Sequence, residues 1–364
     1  IYALLEITVA NLPAFSTTFF MAIRSVIFHK ITRWQEDEPC EIKLFDGQVQ
    51  LTADHEGLFS QLKKNFQFKA GKLFGQFDPD FSSAPFQNWL KEYIDKKISF
   101  EKLTRLYIEN LKSLIDTTNE TFDNTIAFIH EDRADGERFY IFALESLSGL
   151  CLDGHLELDT IEYLSPSKLD LAVRIELESA WSEENEEPYL CLVKARSSGK
   201  IGEAFMQACS FKSIIDCAKE TETLMEVLSG YAKEIPKDEA SQLHQKAYDF
   251  CVEQQQLGEA VPLKALSSFV NEKEPDQFAE FAKEHGQLES DKNLRPDTRK
   301  LKHLVRISGK GNGLSLSFSS DLMQQTILFD EQSDTLTITA IPKSLKKQIM
   351  EHLKSARPED NQDT

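Results

Sequence analysis

A ten-residue stretch from Lys168 to Leu177 constrains the fold most, because apolar and polar side chains alternate along it. Its apolar members are Leu169, Leu171, Val173, Ile175 and Leu177. A period of two places them on one face of a β-strand, which must be buried against other elements. Two similar runs, 125–130 and 138–147, flank the turn sequence Ala134-Asp135-Gly136-Glu137, which is typical of a β-hairpin. The sequence therefore predicts a sheet that contains hairpins.

Further strand-like runs occur at both ends of the chain. They are predicted at 23–32, at 41–51 with a hairpin turn at Asp46-Gly47, at 189–195, and at 301–307, 314–318, 327–330 and 335–341. The glycine-rich sequence GKGNG, residues 309–313, lies between two of these runs. We interpret it as a hairpin turn and not as a nucleotide-binding loop.

Helical periodicity separates these groups of strands. Helices are predicted at 55–68, 86–94 and 100–115, through most of 200–257 with a break near Ile235-Pro236, and at 262–270, 275–285 and 344–354. Strands and helices thus come in runs and do not alternate strictly. This arrangement predicts an α+β fold with a mixed or antiparallel sheet, followed by a smaller C-terminal α+β region.

The order of these segments suggests four parts of the chain. Residues 1–20 are apolar but lack the basic start and cleavage site of a signal peptide, and they contain Glu6 and Pro13, so a membrane span is also a poor fit. Met21 opens the first strand-like run, and we therefore predict that 1–20 is a non-native or upstream extension. We predict an N-terminal α+β domain at 21–235, a C-terminal helical and β-hairpin region at 236–357, and a disordered tail at 358–364.

The overall charge argues against one class of function. The formal net charge of −19 disfavours nonspecific adhesion to nucleic acid or to anionic membranes, because the long-range field repels polyanions. Any contact with a polyanion must therefore be local. Six scattered cysteines show no CxxC pair, so we expect mostly buried free thiols of a cytosolic protein and neither a zinc ribbon nor a disulfide framework.

The stretch KARSSGKIGEAF, residues 194–205, resembles a phosphate loop only in part. Ile201 follows Lys200 where the loop needs Ser or Thr, and Lys194 stands at the first glycine position. A restriction-type nuclease would need a metal-binding carboxylate two residues before Lys194, but Leu192 stands there. Neither chemistry is supported.

Other catalytic and metal-binding motifs are also missing from the sequence. It contains no GxSxG, HExxH or GxGxxG, and its eight histidines are isolated. His130-Glu131 comes nearest to a metal motif, but Ala134 stands where a second ligand would be needed, so we interpret His130 as a surface residue. We predict no catalytic residue, no metal and no cofactor, and keep an uncharacterised phosphate-handling enzyme at the helix start near Gly199 as a minor alternative.

Two stretches depart from the acidic background. Residues 194–212 have a local net charge of +3 and residues 292–310 one of +6. Their candidate DNA-contacting residues are Lys194, Arg196, Lys200, Arg299, Lys300, Lys302, Arg306 and Lys310. A helix beginning near Gly199 would aim free amide groups and the positive end of its dipole at an anion. The alternative is that these cations only pair with acidic surface residues, which contributes about 0 to 1 kcal/mol per pair.

Several long segments together resemble the bacterial 37-kDa nucleoid-associated protein family. They are YLSPSKLDLAVRIELESAW (163–181), PYLCLVKARSSGKIGEAF (188–205), YDFCVEQQQLGEAVPLKALS (248–267), FAEFAKEHG (278–286), LVRISGKGNGLSLSF (304–318) and DTLTITAIPKSLKKQI (334–349). The resemblance runs from Met21 to about Lys354. It implies a cytoplasmic protein of the bacterial nucleoid that associates with DNA and has no established enzymatic activity.

Two functions follow as hypotheses. In the first, a non-catalytic protein contacts duplex DNA through phosphates at both basic stretches with little sequence preference, and a homo-oligomer is left open. In the second, an acidic interaction protein reaches the nucleoid by binding a DNA-bound partner, such as a topoisomerase. No membrane contact is predicted in either case.

Overall fold

The structure, a computed structural model, describes residues 23–47, 49–80, 85–182, 185–286 and 288–355. The predicted extension at 1–20 and the predicted tail at 358–364 lie outside these ranges. The chain divides into two compact units. The first comprises the described residues up to Phe66 and Leu73–Ile214, and the second comprises Gln67–Lys72 and the described residues from Ile215 onward. The predicted α+β class is confirmed.

The first unit is built on one eight-stranded antiparallel sheet. Its strands are β1 (Ile23–Arg33), β2 (Glu41–Lys43), β3 (Leu73–Phe77), β4 (Phe122–Arg133), β5 (Gly136–Leu152), β6 (Leu158–Glu176), β7 (Leu190–Lys194) and β8 (Phe211–Ser213). The strand order is β2-β1-β4-β5-β6-β7-β3-β8. The predicted hairpin joins β4 to β5, with Arg133 paired with Gly136.

Both faces of this sheet are buried. Along β4, Ile126 and Phe128 face one hydrophobic core, while Ala127 and Ile129 face another. The first core is closed by α2 (Phe86–Ile94), α3 (Phe100–Asp116), α4 (Leu177–Ala180) and α5 (Gly199–Ala208), and the second by α1 (Ala53–Phe68). Because helices cover both faces, the central strands are almost continuously apolar.

The second unit is mainly helical around its own core. It contains α6 (Cys217–Tyr231), α7 (Lys237–Leu257), α8 (Leu263–Val270), α9 (Gln277–Gly286), α10 (Thr298–Val305) and α11 (Lys343–Ser355), with the short strands β9 (Val261–Pro262) and β10 (Asn293–Leu294). Two hairpins follow, β11 (Arg306–Gly311) with β12 (Leu314–Ser319), and β13 (Ile327–Asp330) with β14 (Thr335–Ile338). Within the described residues, no helix is long and apolar enough to span a membrane.

The structure differs from the predicted domain boundary at residue 235. Helix α6 precedes that boundary, but its buried residues Leu224, Leu228 and Tyr231 share one core with Phe278 and Phe281 of α9. The division between compact units therefore falls before α6, after Ile214. The sequence shows a helix break at Pro236, but a helix break does not reveal which core each helix joins.

Three local predictions were wrong. Residues 301–305 are helical in α10, where Asp297 caps the helix and Leu301 and Val305 are buried one turn apart. The predicted strand at 41–51 ends at Lys43, and Val49 and Leu51 pack against the core without joining the sheet. Strands β3 and β8 were not predicted, because a strand of three to five residues shows too little of its period.

His130 was also predicted incorrectly, since it is buried with 1% exposure. Its ring contacts the Tyr93 hydroxyl at 2.8 Å and a Glu137 carboxylate oxygen at 3.0 Å. Burial lowers the pKa of His130, and Glu137 opposes that shift. Neighbouring Glu131 is equally buried, pairs with Lys63 and accepts a hydrogen bond from Tyr140. Hydrogen bonds and an ion pair with neighbouring strands and helices of the first unit thus satisfy both side chains, so packing explains them.

Candidate nucleic-acid interface

The first basic stretch lies at the predicted strand-to-helix junction in the first unit. Strand β7 ends at Lys194, a short 3₁₀ turn spans Arg196–Ser198, and α5 begins at Gly199. Gly199 has a φ of +47°, and a Cβ atom at this position would lie 2.7 Å from a carboxylate oxygen of Glu120. The junction therefore requires glycine for both its backbone conformation and its close approach to another segment.

The carboxylate of Glu120 occupies the start of α5. The backbone N–H of Lys200 donates to its Oε1 at 3.0 Å, and the N–H of Ile201 donates to its Oε2 at 3.1 Å. The expectation of free amide groups at this helix start was therefore wrong for these two donors. The Glu120 carboxylate already accepts these hydrogen bonds and interacts favourably with the positive end of the helix dipole.

The cations of this stretch remain available to an external ligand. Arg196 and Lys200 are exposed, and Lys194 is half-buried because its aliphatic chain lies against Gly202. None of the three forms an ion pair with a carboxylate of the described residues. Their charge can therefore act on an anion through the side chains.

The second basic stretch begins in α10 of the second unit. Arg299 forms an ion pair with Asp297 at 3.3 Å, and Lys300 forms one with Glu222 at 2.9 Å. Asp297 also accepts the N–H of Arg299 as the helix cap. The charges of Arg299 and Lys300 are thus partly neutralised, which distinguishes them from Lys302 on the same helix.

The rest of the second stretch forms a β-hairpin. Strands β11 and β12 pair from Arg306 opposite Ser319 to Gly311 opposite Leu314. Their two-residue turn, Asn312-Gly313, has φ values of +50° and +77°. Positive φ at both central residues matches the right-handed twist of the strands, which confirms GKGNG as a hairpin turn.

One face of this hairpin carries only cations and hydroxyl groups. Residues directly opposite each other in an antiparallel pair share a face. The shared face holds Arg306, Ser308, Lys310, Ser315, Ser317 and Ser319. The Nε of Arg306 donates to Oγ of Ser317 at 2.9 Å, and no described carboxylate pairs with Arg306, Lys310 or nearby Lys302. The opposite face holds glycines and apolar side chains.

Sequence reasoning located the cations but missed two features of their surroundings. The serines of β12 repeat at every second position, a signal that is visible beside the same period in Arg306, Ser308 and Lys310. The capping role of Glu120 had no such signal, because this residue is 80 positions away from Lys200 along the chain. Within the described residues, no group of three or more His, Cys, Asp or Glu side chains is arranged to hold a metal ion.

Comparison with known proteins identifies the family of the chain. A nucleoid-associated protein from Pseudomonas savastanoi pv. phaseolicola is 29% identical over 335 residues, which cover 90% of this chain and 99% of that protein. Another from Pseudomonas entomophila is 28% identical with 90% and 98% coverage, and one from Azotobacter vinelandii is 27% identical with 90% and 98% coverage. The family model described as nucleoid-associated protein YejK matches residues 27–346. The chain therefore belongs to this family of nucleoid-associated proteins.

Proposed function

We propose that the protein is a non-catalytic component of the bacterial nucleoid that binds the phosphate backbone of duplex DNA with little sequence preference. The observation that carries the proposal is the exposed face of the β11–β12 hairpin, where Arg306 and Lys310 lie among four serines. Family membership is consistent with a location at the nucleoid in the cytoplasm.

The composition of this hairpin face suits phosphate. Arg and Lys neutralise phosphate charge, while serine hydroxyl groups donate hydrogen bonds to phosphate oxygens. A two-stranded ribbon also fits within the major groove of B-DNA. The face contains no Asn, Gln or acidic side chain to read adenine or cytosine, and its Arg and Lys are proposed to contact phosphates, so we expect little sequence preference.

Lys302 belongs to the same proposed surface, since it is unpaired and lies four residues before Arg306. In the first unit, Lys194, Arg196 and Lys200 are proposed as further phosphate contacts through their side chains only. Arg299 and Lys300 contribute less, because DNA must compete with Asp297 and Glu222 for them. Binding is expected to weaken with salt, because each phosphate contact releases condensed counterions, and the net charge of −19 keeps the overall affinity low.

A salt titration of DNA binding tests the proposal. Affinity for a duplex of mixed sequence is measured by fluorescence anisotropy over a range of salt concentrations. The logarithm of the affinity should fall linearly with the logarithm of salt concentration, with a slope of about −0.9 for each phosphate neutralised. In the triple variant K302A/R306A/K310A, the slope should become less negative by the contribution of up to about three phosphate contacts.

The matched control removes three lysines that are ion-paired elsewhere on the surface. Lys97 pairs with Asp95, Lys273 with Glu239 and Lys283 with Glu289. The variant K97A/K273A/K283A changes the net charge by the same amount but should preserve the slope. If both triple variants weaken binding equally, the effect comes from total charge and the hairpin is not the DNA surface.

The second candidate function is recruitment by a DNA-bound partner, which could be a DNA-organising enzyme such as a topoisomerase. The strongly negative charge favours it, because an acidic surface accelerates encounters with a basic protein. In that case the purified chain would fail to bind naked DNA at moderate salt but would bind the purified enzyme without DNA. Retained binding to naked DNA, with the slope described above, favours direct contact.

A further inference from the structure

Strands β5 and β6 continue far beyond the rest of the sheet as a two-stranded arm. Residues 146–152 of β5 pair only with residues 158–164 of β6. Strand β4 pairs with β5 as far as Glu145, and β7 pairs with β6 only from Leu171. Within the described part of the chain, both outer edges of the arm therefore lack a neighbouring strand.

The arm is also unusually apolar for an exposed element. Its exposed side chains include Leu150 at 76%, Leu158 at 74%, Leu152 at 60% and Ile161 at 50%. An isolated two-stranded ribbon is marginally stable in water, and apolar patches above a few hundred Å² indicate an interaction surface. Four large apolar side chains that are at least half exposed therefore mark the arm as an interaction surface.

The two edges of the arm differ in charge. The β5 edge, residues 146–152, reads SLSGLCL and has no charged residue. The carboxylates lie on β6, as Asp159 and Glu162, and in the connecting turn, as Asp153 and Glu157. The arm contains no Lys or Arg. A charge-free edge can accept another strand, whereas charged residues on an edge oppose pairing.

We propose that two copies of the chain associate by pairing their β5 edges antiparallel, which forms a four-stranded sheet in the order β6-β5-β5-β6. A two-fold axis makes the interface self-complementary. The acidic β6 strands then lie outermost, where they oppose the addition of further strands. Association stops at the dimer for this reason.

The register follows from the residues at the two ends of the free edge. Centring the two-fold axis on Gly149 pairs all seven residues of the free edge, 146–152, with the same seven residues of the second copy. No charged residue then lies opposite another residue. A shift by one residue toward the tip places Asp153 opposite Leu147, and a shift the other way requires Glu145, which already pairs with Asn124. The absence of a side chain at Gly149 is compensated by Tyr163, whose ring lies 2.9 Å from the position a Cβ would occupy.

The end of the free edge borders an open cavity of the first unit. In this register, Leu152 of the second copy arrives opposite Ser146. Ser146 lines a cavity of about 600 Å³ whose other walls include Trp34 and Phe122. Trp34 is 66% exposed, so the end of the free edge offers an apolar contact to the arriving arm.

Disulfide trapping tests the register. Leu147 should lie directly opposite Cys151 of the second copy, at a Cα separation of about 4.5–5.5 Å, which a disulfide can bridge. In a C217S background, L147C should form a covalent dimer on mild oxidation in the absence of DNA, and adding C151S should abolish it. The control S148C lies opposite Leu150 on the other face and should remain uncrosslinked. Equal crosslinking of L147C and S148C, or no dimer from L147C, would overturn the proposal.

Sedimentation equilibrium tests the association itself. The full chain should be dimeric at micromolar concentration, and replacing residues 147–163 by an Asn-Gly turn should make it monomeric without loss of its cooperative unfolding transition. A monomeric full chain, or a dimer that survives removal of the arm, refutes the arm as the interface. DNA is absent throughout, so these outcomes are independent of DNA binding.

Discussion

Replacing Glu120 should destabilise the first unit and at the same time strengthen anion binding. In the native protein its carboxylate accepts hydrogen bonds from the amides of Lys200 and Ile201 at the start of α5. The substitution E120A leaves both donors without this acceptor. It also exposes the positive end of the helix dipole between Arg196 and Lys200.

The expected cost in the free energy of unfolding is that of losing a helix cap. Removal of a capping acceptor costs roughly 0.5–2 kcal/mol, and the partial exposure of Glu120 favours the middle of that range, about 1 kcal/mol. For a unit of this size, that corresponds to a decrease of about 2–4 °C in melting temperature. The helix itself should persist, because Ile201, Phe205 and Ala208 anchor it in the core.

The gain in anion affinity follows from the same two amides. A helix N-terminus stabilises an anion by about 0.3–1 kcal/mol, which is up to about a fivefold increase in affinity. The assays are thermal unfolding by circular dichroism and DNA binding by anisotropy at fixed salt. E120Q retains an acceptor oxygen but loses the charge, so its effects should fall between those of the native protein and E120A.

The control for net charge is E109A. Glu109 is exposed on α3 and forms no ion pair within the described residues. An unchanged melting temperature in E120A relative to E109A would refute the capping contact. If DNA affinity rises no more in E120A than in E109A, the start of α5 does not face DNA, and Lys194, Arg196 and Lys200 leave the proposed interface.

Three further predictions concern stability. Burial, assisted by Arg105, lowers the pKa of His29 to about 4. As the pH falls, His29 therefore binds its proton in the unfolded chain before it does so in the folded chain. The contribution of neutral His29 to the free energy of unfolding is complete above about pH 6.5 and is lost as the pH falls toward 4, by at most about 3 kcal/mol. Urea unfolding at several pH values should show this loss, and H29Q should flatten it; an equally steep profile in H29Q would assign the loss to other groups. G75A should cost about 2–3 kcal/mol by chemical denaturation, since its Cβ would overlap the backbone carbonyl of Lys212 in β8, whereas G57A, with open space around it in α1, should be neutral or stabilising. F278A should lower the stability of the second unit by about 3–5 kcal/mol without affecting the first, and a loss shared equally by both units would contradict their separate cores.

Elements with a long, regular period were predictable from the sequence. The helices at 86–94 and 100–115 and the hairpin at 125–147 agree closely with α2, α3 and the paired strands β4 and β5. In α3, Ser99 caps the helix and Leu103, Tyr107 and Leu111 fall on one buried face. Such local signals need no knowledge of distant segments.

Short elements were not predictable in the same way. Residues 301–305 carry apolar side chains at spacings that suit either a strand or one turn of helix. The N-cap at Asp297, the burial of Leu301 in the second core and the burial of Val305 one turn later select the helix. Strand β3 exists because β7 and β8 hydrogen-bond to its two edges. Tertiary contacts therefore determine the conformation where the local signal is short.

The same division applies to the candidate interface. The amino-acid sequence alone determined the α+β character with a mixed or antiparallel sheet, the absence of known catalytic motifs and the position of the two basic stretches, because composition and period are local properties. The tertiary structure decided which cations are paired, since Glu222 reaches Lys300 and Glu120 reaches the start of α5 from distant parts of the chain. It also left the β5 edge of the arm without a neighbour. Charge neutralisation and strand pairing depend on distances in space, and a single sequence does not contain those distances.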